Sequence, residues 1–139
     1  MGHVYADSEL LSSYDLVRYR RGILAKEDIK RVTVKALVDS GTYMLSINET
    51  IKAQLDLTVI EEQIVELADG SRIKLNVVEP VDVRFANRST SARALVLPGD
   101  AEVVLGAMPL GDLDVVIDQK RQTLAVNPAH PNIAEKKLK

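Results

Sequence analysis

One acidic residue stands where an apolar strand is predicted to meet a sharp turn. Residues 37–42 read Leu-Val-Asp-Ser-Gly-Thr, so an apolar run ends in a carboxylate followed by two hydroxyls and a glycine. A carboxylate at the end of a buried strand needs hydrogen-bond partners, and Ser40 and Thr42 can supply them. Gly41 lets the chain turn and lets another backbone approach closely. Asp39 is therefore a candidate for general acid–base chemistry, although an Asp-Ser-Gly turn is also a common structural feature.

The rest of the sequence contains few other combinations of residues that could form a catalytic or metal-binding site. There are no cysteines, which excludes disulfides, thiolate zinc sites and a cysteine nucleophile together. The two histidines, His3 and His130, lie near the chain ends, so nothing supports Ser40 as a serine nucleophile. The acids within residues 112–118 could bind a cation, but alternating acids on the solvent face of an edge strand explain them better. We therefore predict no metal site and no cofactor.

Length and charge narrow the class of protein. The 139 residues can form one domain with a substantial core, and they are too few for two lobes of ordinary size. The net charge is −2, so the chain lacks the basic excess that nucleic-acid binding requires. No secretory signal and no apolar run near the ~20 residues that span a bilayer are present. We therefore expect a cytoplasmic protein without nucleic-acid or membrane partners.

Alternation of apolar and polar residues predicts a mainly β fold. In residues 31–38 the apolar side chains fall on one face and the polar ones on the other. Many short strands with one principal helix indicate a small closed or nearly closed β structure. Strands are predicted in the following segments: residues 3–11, 31–38, 73–77, 81–85, 92–96, 103–105, 115–117 and 123–126.

Helix and turn signals divide these strands. Residues 46–49, Ser-Ile-Asn-Glu, form a capping-box pattern that predicts a helix beginning at Ser46, and a short helical turn is predicted over 108–113. Asp69-Gly70 predicts a hairpin turn, because such turns demand the positive φ that glycine tolerates. Pro80 is predicted to separate two strands.

Two regions lie outside these predicted elements. Residues 15–30 carry many charges and are compatible with a loop that contains a helical turn. Residues 129–139 are polar and lysine-rich, and we predict that they form a flexible C-terminal tail. A single domain is accordingly expected over residues 1–128.

Taken in order, these parts resemble the retropepsin-like (clan AA) aspartic proteases, in particular their small bacterial single-domain members. That family places Asp-Ser/Thr-Gly-Ala/Ser/Thr after an apolar strand, as residues 37–42 do. A helix and a hairpin flap usually follow, and residues 66–71 resemble the flap tip. Two apolar residues, a glycine and a short helix come later, and residues 103–110 match them. The resemblance covers residues 32–126 and implies the acid protease fold, a closed β-barrel.

The resemblance also implies an activity. It predicts an aspartic endopeptidase in which Asp39 from each subunit of a homodimer meets its counterpart at the dimer axis. Like charges about 3 Å apart cannot both ionise comfortably, so the pair would share a proton. One carboxyl group would activate water while the other protonates the peptide carbonyl. By the same resemblance Ser40 links the two loops, Gly41 contacts substrate backbone and Thr42 bonds the carboxylate.

Further residues receive roles from the same resemblance. Ala68, Asp69 and Gly70 would form the flap over an extended peptide, and Gly106 would be the structural glycine before the short helix. Tyr43 is a candidate to line the peptide cleft, since aromatic side chains bury much area beside a groove.

Two alternatives stay open at this stage. A catalytically weak or inactive dimer of the same fold could act as a peptide-binding or assembly module. The second alternative is an unrelated β domain in which the Asp-Ser-Gly-Thr motif occurs by chance.

Overall fold

Residues 2–138 are described by a computed structural model, in which short strands dominate. Within that range none of the helices is long and apolar enough to cross a membrane. The strands are β1 Val4–Ser12, β2 Arg31–Val38, β3 Leu45–Asn48, β4 Val59–Glu66, β5 Arg72–Phe85, β6 Arg88–Leu97, β7 Val104–Leu105, β8 Val115–Asp118 and β9 Thr123–Val126. The helices are α1 Ser13–Arg20, α2 Glu49–Gln54 and α3 Ala107–Leu113, with a 3-10 turn at Lys26–Asp28.

The strands close into a barrel. They lie in the order β1-β2-β7-β3-β6-β5, and β5 pairs back onto β1, so six strands form a ring. Strand β4 lies outside this ring and pairs with residues 72–78 of β5. Strands β8 and β9 form a separate two-stranded sheet. The β2–β7 and β3–β6 pairs are parallel, while the other pairs are antiparallel. The predicted mainly β, closed-barrel fold is confirmed.

Apolar side chains on the inward faces of the strands form the core. Leu10, Leu45, Ile47, Val83 and Leu105 are completely buried in its main cluster. A second cluster packs under α1, and a third lies between β5 and β6. The two-residue alternation read from the sequence therefore identifies the buried faces of β2, β5 and β6.

The predicted start of the helix at Ser46 is wrong. Leu45–Asn48 form β3, which pairs with β6 and β7, and all four residues are buried. Helix α2 begins at Glu49, and Asn48 Oδ1 caps it by accepting a 2.9 Å hydrogen bond from the Ile51 amide. Asn is a preferred N-cap residue. A capping residue is therefore present, but it is Asn48, two residues after the predicted Ser46. Sheet pairing and burial of Leu45 and Ile47 outweigh the capping-box pattern.

The predicted break at Pro80 is also wrong. Strand β5 runs continuously through it, and the pairing with β6 shifts register between Val78 and Val81. A bulge suits proline, which has no N–H to donate to the ladder. The ambiguous residues 15–30 contain most of α1 and the 3-10 turn, and buried Asp15 forms a 2.9 Å ion pair with Lys30 there.

The C-terminal segment makes several contacts with the domain. Asp114, the C-cap of α3, has a left-handed backbone with φ of 55°. Its Oδ2 lies 2.8 Å from His130 Nδ1 and accepts a 2.9 Å hydrogen bond from the Glu135 amide. The buried Arg88 guanidinium lies 3.5 Å from the same oxygen. The Glu135 N–H is the largest cause that lowers the pKa of Asp114 to about 2. The flexible tail over 129–139 stays a prediction, and these contacts weigh against it.

Candidate active site

Asp39 is the first residue after β2. Its amide donates a 3.1 Å hydrogen bond to the Leu105 carbonyl, directly beyond the parallel pairing of Val38 with Leu105. The Thr42 amide donates at 3.1 Å to the Asp39 carbonyl and so closes a turn. Strand pairing and this turn therefore hold the half-buried Asp39 at the end of a buried strand.

Each carboxylate oxygen of Asp39 has its own donor within the turn. The Gly41 amide donates to Oδ1 at 2.9 Å, and the Thr42 hydroxyl donates to Oδ2 at 3.0 Å. Ser40 is exposed, and its hydroxyl makes no hydrogen bond with any residue within 2–138. Its predicted link to a second loop therefore stays a prediction, while the geometry supports the positioning of the carboxylate by Gly41 and Thr42.

The turn rests on Gly106 and the start of α3. The Ala107 amide donates to the Thr42 carbonyl at 2.6 Å, and the Met108 amide donates to the Tyr43 carbonyl at 2.9 Å. A Cβ at Gly106 would overlap the Met44 carbonyl oxygen and would lie 2.6 Å from that of Thr42. Only glycine fits this close approach of two backbones.

A groove of about 730 Å³ runs beside this loop. Its walls come from the loop, from β4 and β5, and from β6, and they are mostly aliphatic. Tyr43 stands at its edge with 68% of its surface exposed. Asp39 lines a different, smaller cavity of about 270 Å³ together with Ser40, while the next residue, Gly41, lines the groove.

The hairpin that joins β4 to β5 forms one side of the groove. Its turn is closed by the Leu67 amide, which donates to the Ser71 carbonyl at 2.7 Å, and Gly70 has a positive φ of 87°. Asp69 Oδ1 accepts the Ser71 hydroxyl at 2.6 Å and the Ser71 amide at 2.8 Å. The hydroxyl bond is the main cause that lowers the pKa of Asp69. The hairpin predicted at Asp69-Gly70 is therefore confirmed.

A sequence model of the aspartyl protease family matches residues 26–109, which is more than half of the chain. The chain belongs to the aspartyl protease family. No curated protein sequence matches it. Its structure is similar to that of the retroviral protease-like domain of Ddi1 from Leishmania major, with a TM-score of 0.58 and 18% identity. That match covers 92% of this chain and 90% of the other, and it shows the retropepsin-like fold.

Within this aspartyl protease family domain, the predicted site residues fall into two groups. Asp39, Ser40, Gly41, Thr42 and Gly106 come together around one turn. The flap residues divide, because Ala68 lines the groove while Asp69 and Gly70 stand at the hairpin tip outside its lining.

Other lining residues were not identified from the sequence. The groove includes Gln63 of β4 and Leu95 and Leu97 of β6. Strand alternation places such residues on a face, but it does not show which face borders a groove.

Proposed function

We propose that the chain is an aspartic endopeptidase that cleaves extended peptides as a homodimer with Asp39 of each subunit at its centre. The observation that carries this proposal is the arrangement at Asp39. Its carboxylate ends a buried strand, and both of its oxygens are held by donors from its own turn. A groove flanked by a hairpin lies beside that turn. Membership of the aspartyl protease family supports the same chemistry.

The proposed mechanism needs two carboxyl groups in different protonation states. One acts as a general base and takes a proton from water, which attacks the peptide carbonyl. The other donates its proton toward the carbonyl oxygen, and no covalent acyl-enzyme forms. Two carboxylates at about 3 Å share one proton, because the second ionisation is opposed by the first charge.

A two-fold axis supplies the second carboxyl group. Each chain has one Asp-Ser-Gly-Thr turn, and an isologous contact presents the same patch twice. In that arrangement exposed Ser40 is available to bond the partner's loop, and Ala68, Asp69 and Gly70 close over the peptide. The sheet of β8 and β9 pairs with no other strand within 2–138, so its free edges are candidates for further contacts between subunits.

The test is cleavage of a diverse peptide library by the purified protein over a range of pH. We expect cleavage on the acid side of neutrality and none by the Asp39→Asn variant. The absence of cleavage of every peptide at every pH would contradict the proposal. The cytoplasmic location, like the absence of nucleic-acid and membrane partners, stays a prediction.

A second candidate function is peptide binding without cleavage. It is favoured by one observation, namely that Asp39 does not line the groove. A peptide could therefore be held there without using the carboxylate. Equal peptide affinities of the parent chain and Asp39→Asn, with no cleavage by either, would favour this module.

A further inference from the structure

Side chains from two other elements hold the C-terminal segment against the domain. We call residues 127–136 the C-terminal strap. Asn87, in the turn between β5 and β6, donates a 2.9 Å hydrogen bond from its side-chain amide to the Pro131 carbonyl. The buried Arg88, the first residue of β6, donates to the His130 carbonyl through its guanidinium. These bonds fix the strap backbone at His130 and so place the ring of that residue against the domain.

The His130 ring lies between two carboxylates. Its Nδ1 is 2.8 Å from Asp114 Oδ2, and its Nε2 is 3.2 Å from Glu135 Oε2. An ionised carboxylate only accepts hydrogen bonds, and a neutral imidazole has one N–H and one nitrogen lone pair. Either neutral tautomer therefore directs a lone pair at a carboxylate oxygen, whereas the imidazolium presents an N–H to both. The contacts of the ring fit its protonated form.

The charged groups around the ring come from α3, from β6 and from the strap itself. The Arg88 guanidinium lies 3.5 Å from Asp114 Oδ2. Lys136 of the strap lies 3.6 Å from Asp112 of α3, so these two charges compensate each other. With a proton on the ring, the two carboxylates that flank it are matched by two cations. Loss of the proton leaves one of the two negative charges unmatched.

Asp114 does not change charge in the range in which a histidine does. The Glu135 N–H is the largest cause that lowers the pKa of Asp114 to about 2, and the side chains of Asn127 and His130 lower it further. A histidine side chain ordinarily changes charge between about pH 5 and about pH 8. A change in strap docking across that range is therefore due to His130 rather than to Asp114.

We infer that protonation of His130 locks the C-terminal strap onto α3 and β6, and that the strap detaches more often as pH rises through neutrality. The docked strap interacts better with the imidazolium than with the neutral ring, so linkage favours docking in acid. Strand β8 begins directly after Asp114 and β9 ends directly before Asn127, which places the lock at the end of the two-stranded sheet. Detachment thus loosens a sheet whose edges are candidates for contacts between subunits. The inference does not depend on whether the chain cleaves peptides.

The test is hydrogen exchange of the Glu135 amide, which donates to Asp114 Oδ2 in the docked strap. Exchange is measured by NMR on the whole chain at about pH 5.5 and about pH 8, and the intrinsic rate at each pH converts it to a protection factor. We expect the protection factor to be about tenfold lower at the higher pH. The Ile51 amide, which donates to Asn48 Oδ1, is the internal control and should keep its protection.

Matched variants assign the effect to one ring, since His3 and His130 are the two histidines of the sequence. His130→Gln cannot take up a proton in this range, so its protection factor should be the same at both pH values. His3→Gln is the control and should respond to pH as the parent chain does. Glu135→Gln keeps the backbone N–H that is measured, and its side-chain amide can donate to a neutral ring. Its response to pH should therefore be smaller than that of the parent.

The outcomes decide the inference. Protection of the parent chain that is equal or higher at the higher pH would overturn it. A response to pH that persists in His130→Gln, or that is lost in His3→Gln, would also overturn it. If His130→Gln does not fold, Glu135→Gln decides, because a response as large as that of the parent would contradict the lock and a smaller one would support it.

Discussion

The Thr42 hydroxyl donates a 3.0 Å hydrogen bond to Oδ2 of Asp39, three residues earlier in the same turn. The Gly41 amide holds the other carboxylate oxygen at 2.9 Å. Hydrogen bonds to both oxygens of a carboxylate fix its orientation. The turn therefore orients the carboxylate by itself, before a second subunit or a peptide is present.

Replacing Thr42 by Ala should lower kcat by about tenfold and leave KM nearly unchanged. The variant loses the 3.0 Å hydrogen bond that orients Oδ2 of Asp39, so the carboxylate is held less often in the geometry that activates water. The measurement is kcat and KM for the parent chain, Thr42→Ala and Thr42→Ser. Thr42→Ser keeps the hydroxyl and should stay close to the parent. An Ala variant with the kcat of the parent would show that this bond does not position the carboxylate.

Asp39→Asn should abolish cleavage and leave the fold intact. Asn preserves the shape of the side chain but cannot act as a general base. We expect cleavage to fall below detection and Tm to change by no more than about 2 °C. Asp7→Asn is the control, since Asp7 is an exposed residue of β1, and it should retain full activity. Cleavage at the parent rate by Asp39→Asn would make the catalytic assignment wrong.

Two glycines, Gly106 before α3 and Gly111 within it, should respond oppositely to replacement by Ala. At Gly106 the new Cβ would overlap the carbonyl oxygens of Met44 and Thr42, so we expect a loss of at least about 2 kcal/mol in the free energy of unfolding. At Gly111 nothing lies within 4 Å of the new Cβ, and helix propensity should add about 0.5–1 kcal/mol. Denaturant unfolding measures both. A Gly106→Ala chain as stable as the parent would mean that the two backbones do not approach closely.

Asp114 should make stability depend on pH in acid. Its pKa is lowered from 3.8 to about 2 in the folded chain, so folding favours the ionised form. The resulting stabilisation is complete above the unfolded value and fades as pH falls toward about 2. Asp114→Asn lacks this contribution and resembles the protonated side chain.

The measurement is Tm against pH for the parent and Asp114→Asn. We expect the parent to be more stable near neutrality and the two curves to converge between pH 4 and pH 2. A constant gap over that range would mean that Asp114 does not titrate as its contacts require.

Local patterns predicted the parts of the site that local chemistry determines. The turn at Asp39 and the hairpin at Asp69-Gly70 were predicted correctly, because each depends on residue types within a few positions. The strand faces followed from alternation. The aspartyl protease family could be recognised because these parts occur in a fixed order.

Features set by distant pairing were missed. The capping pattern predicts that α2 starts at Ser46, because that pattern is local and does not contain the pairing of β3 with β6. Pro80 predicts a break between strands, since a register shift within one strand leaves little local signal. The contact of Asp114 with His130 joins residues 16 apart, and no helix or hairpin spacing predicts it.

Subunit mixing tests most directly whether Asp39 acts in pairs across a homodimer. The Asp39→Asn variant is added in increasing amounts to a constant amount of the parent chain. The total concentration is one at which sedimentation shows dimers. Cleavage is measured after the subunits have exchanged between dimers. If each site needs Asp39 from both subunits, activity per parent chain should fall to about one half at an equal mixture and continue to fall as the variant is added in excess. Activity that stays constant while mixed dimers form would contradict a shared pair of Asp39 carboxyl groups.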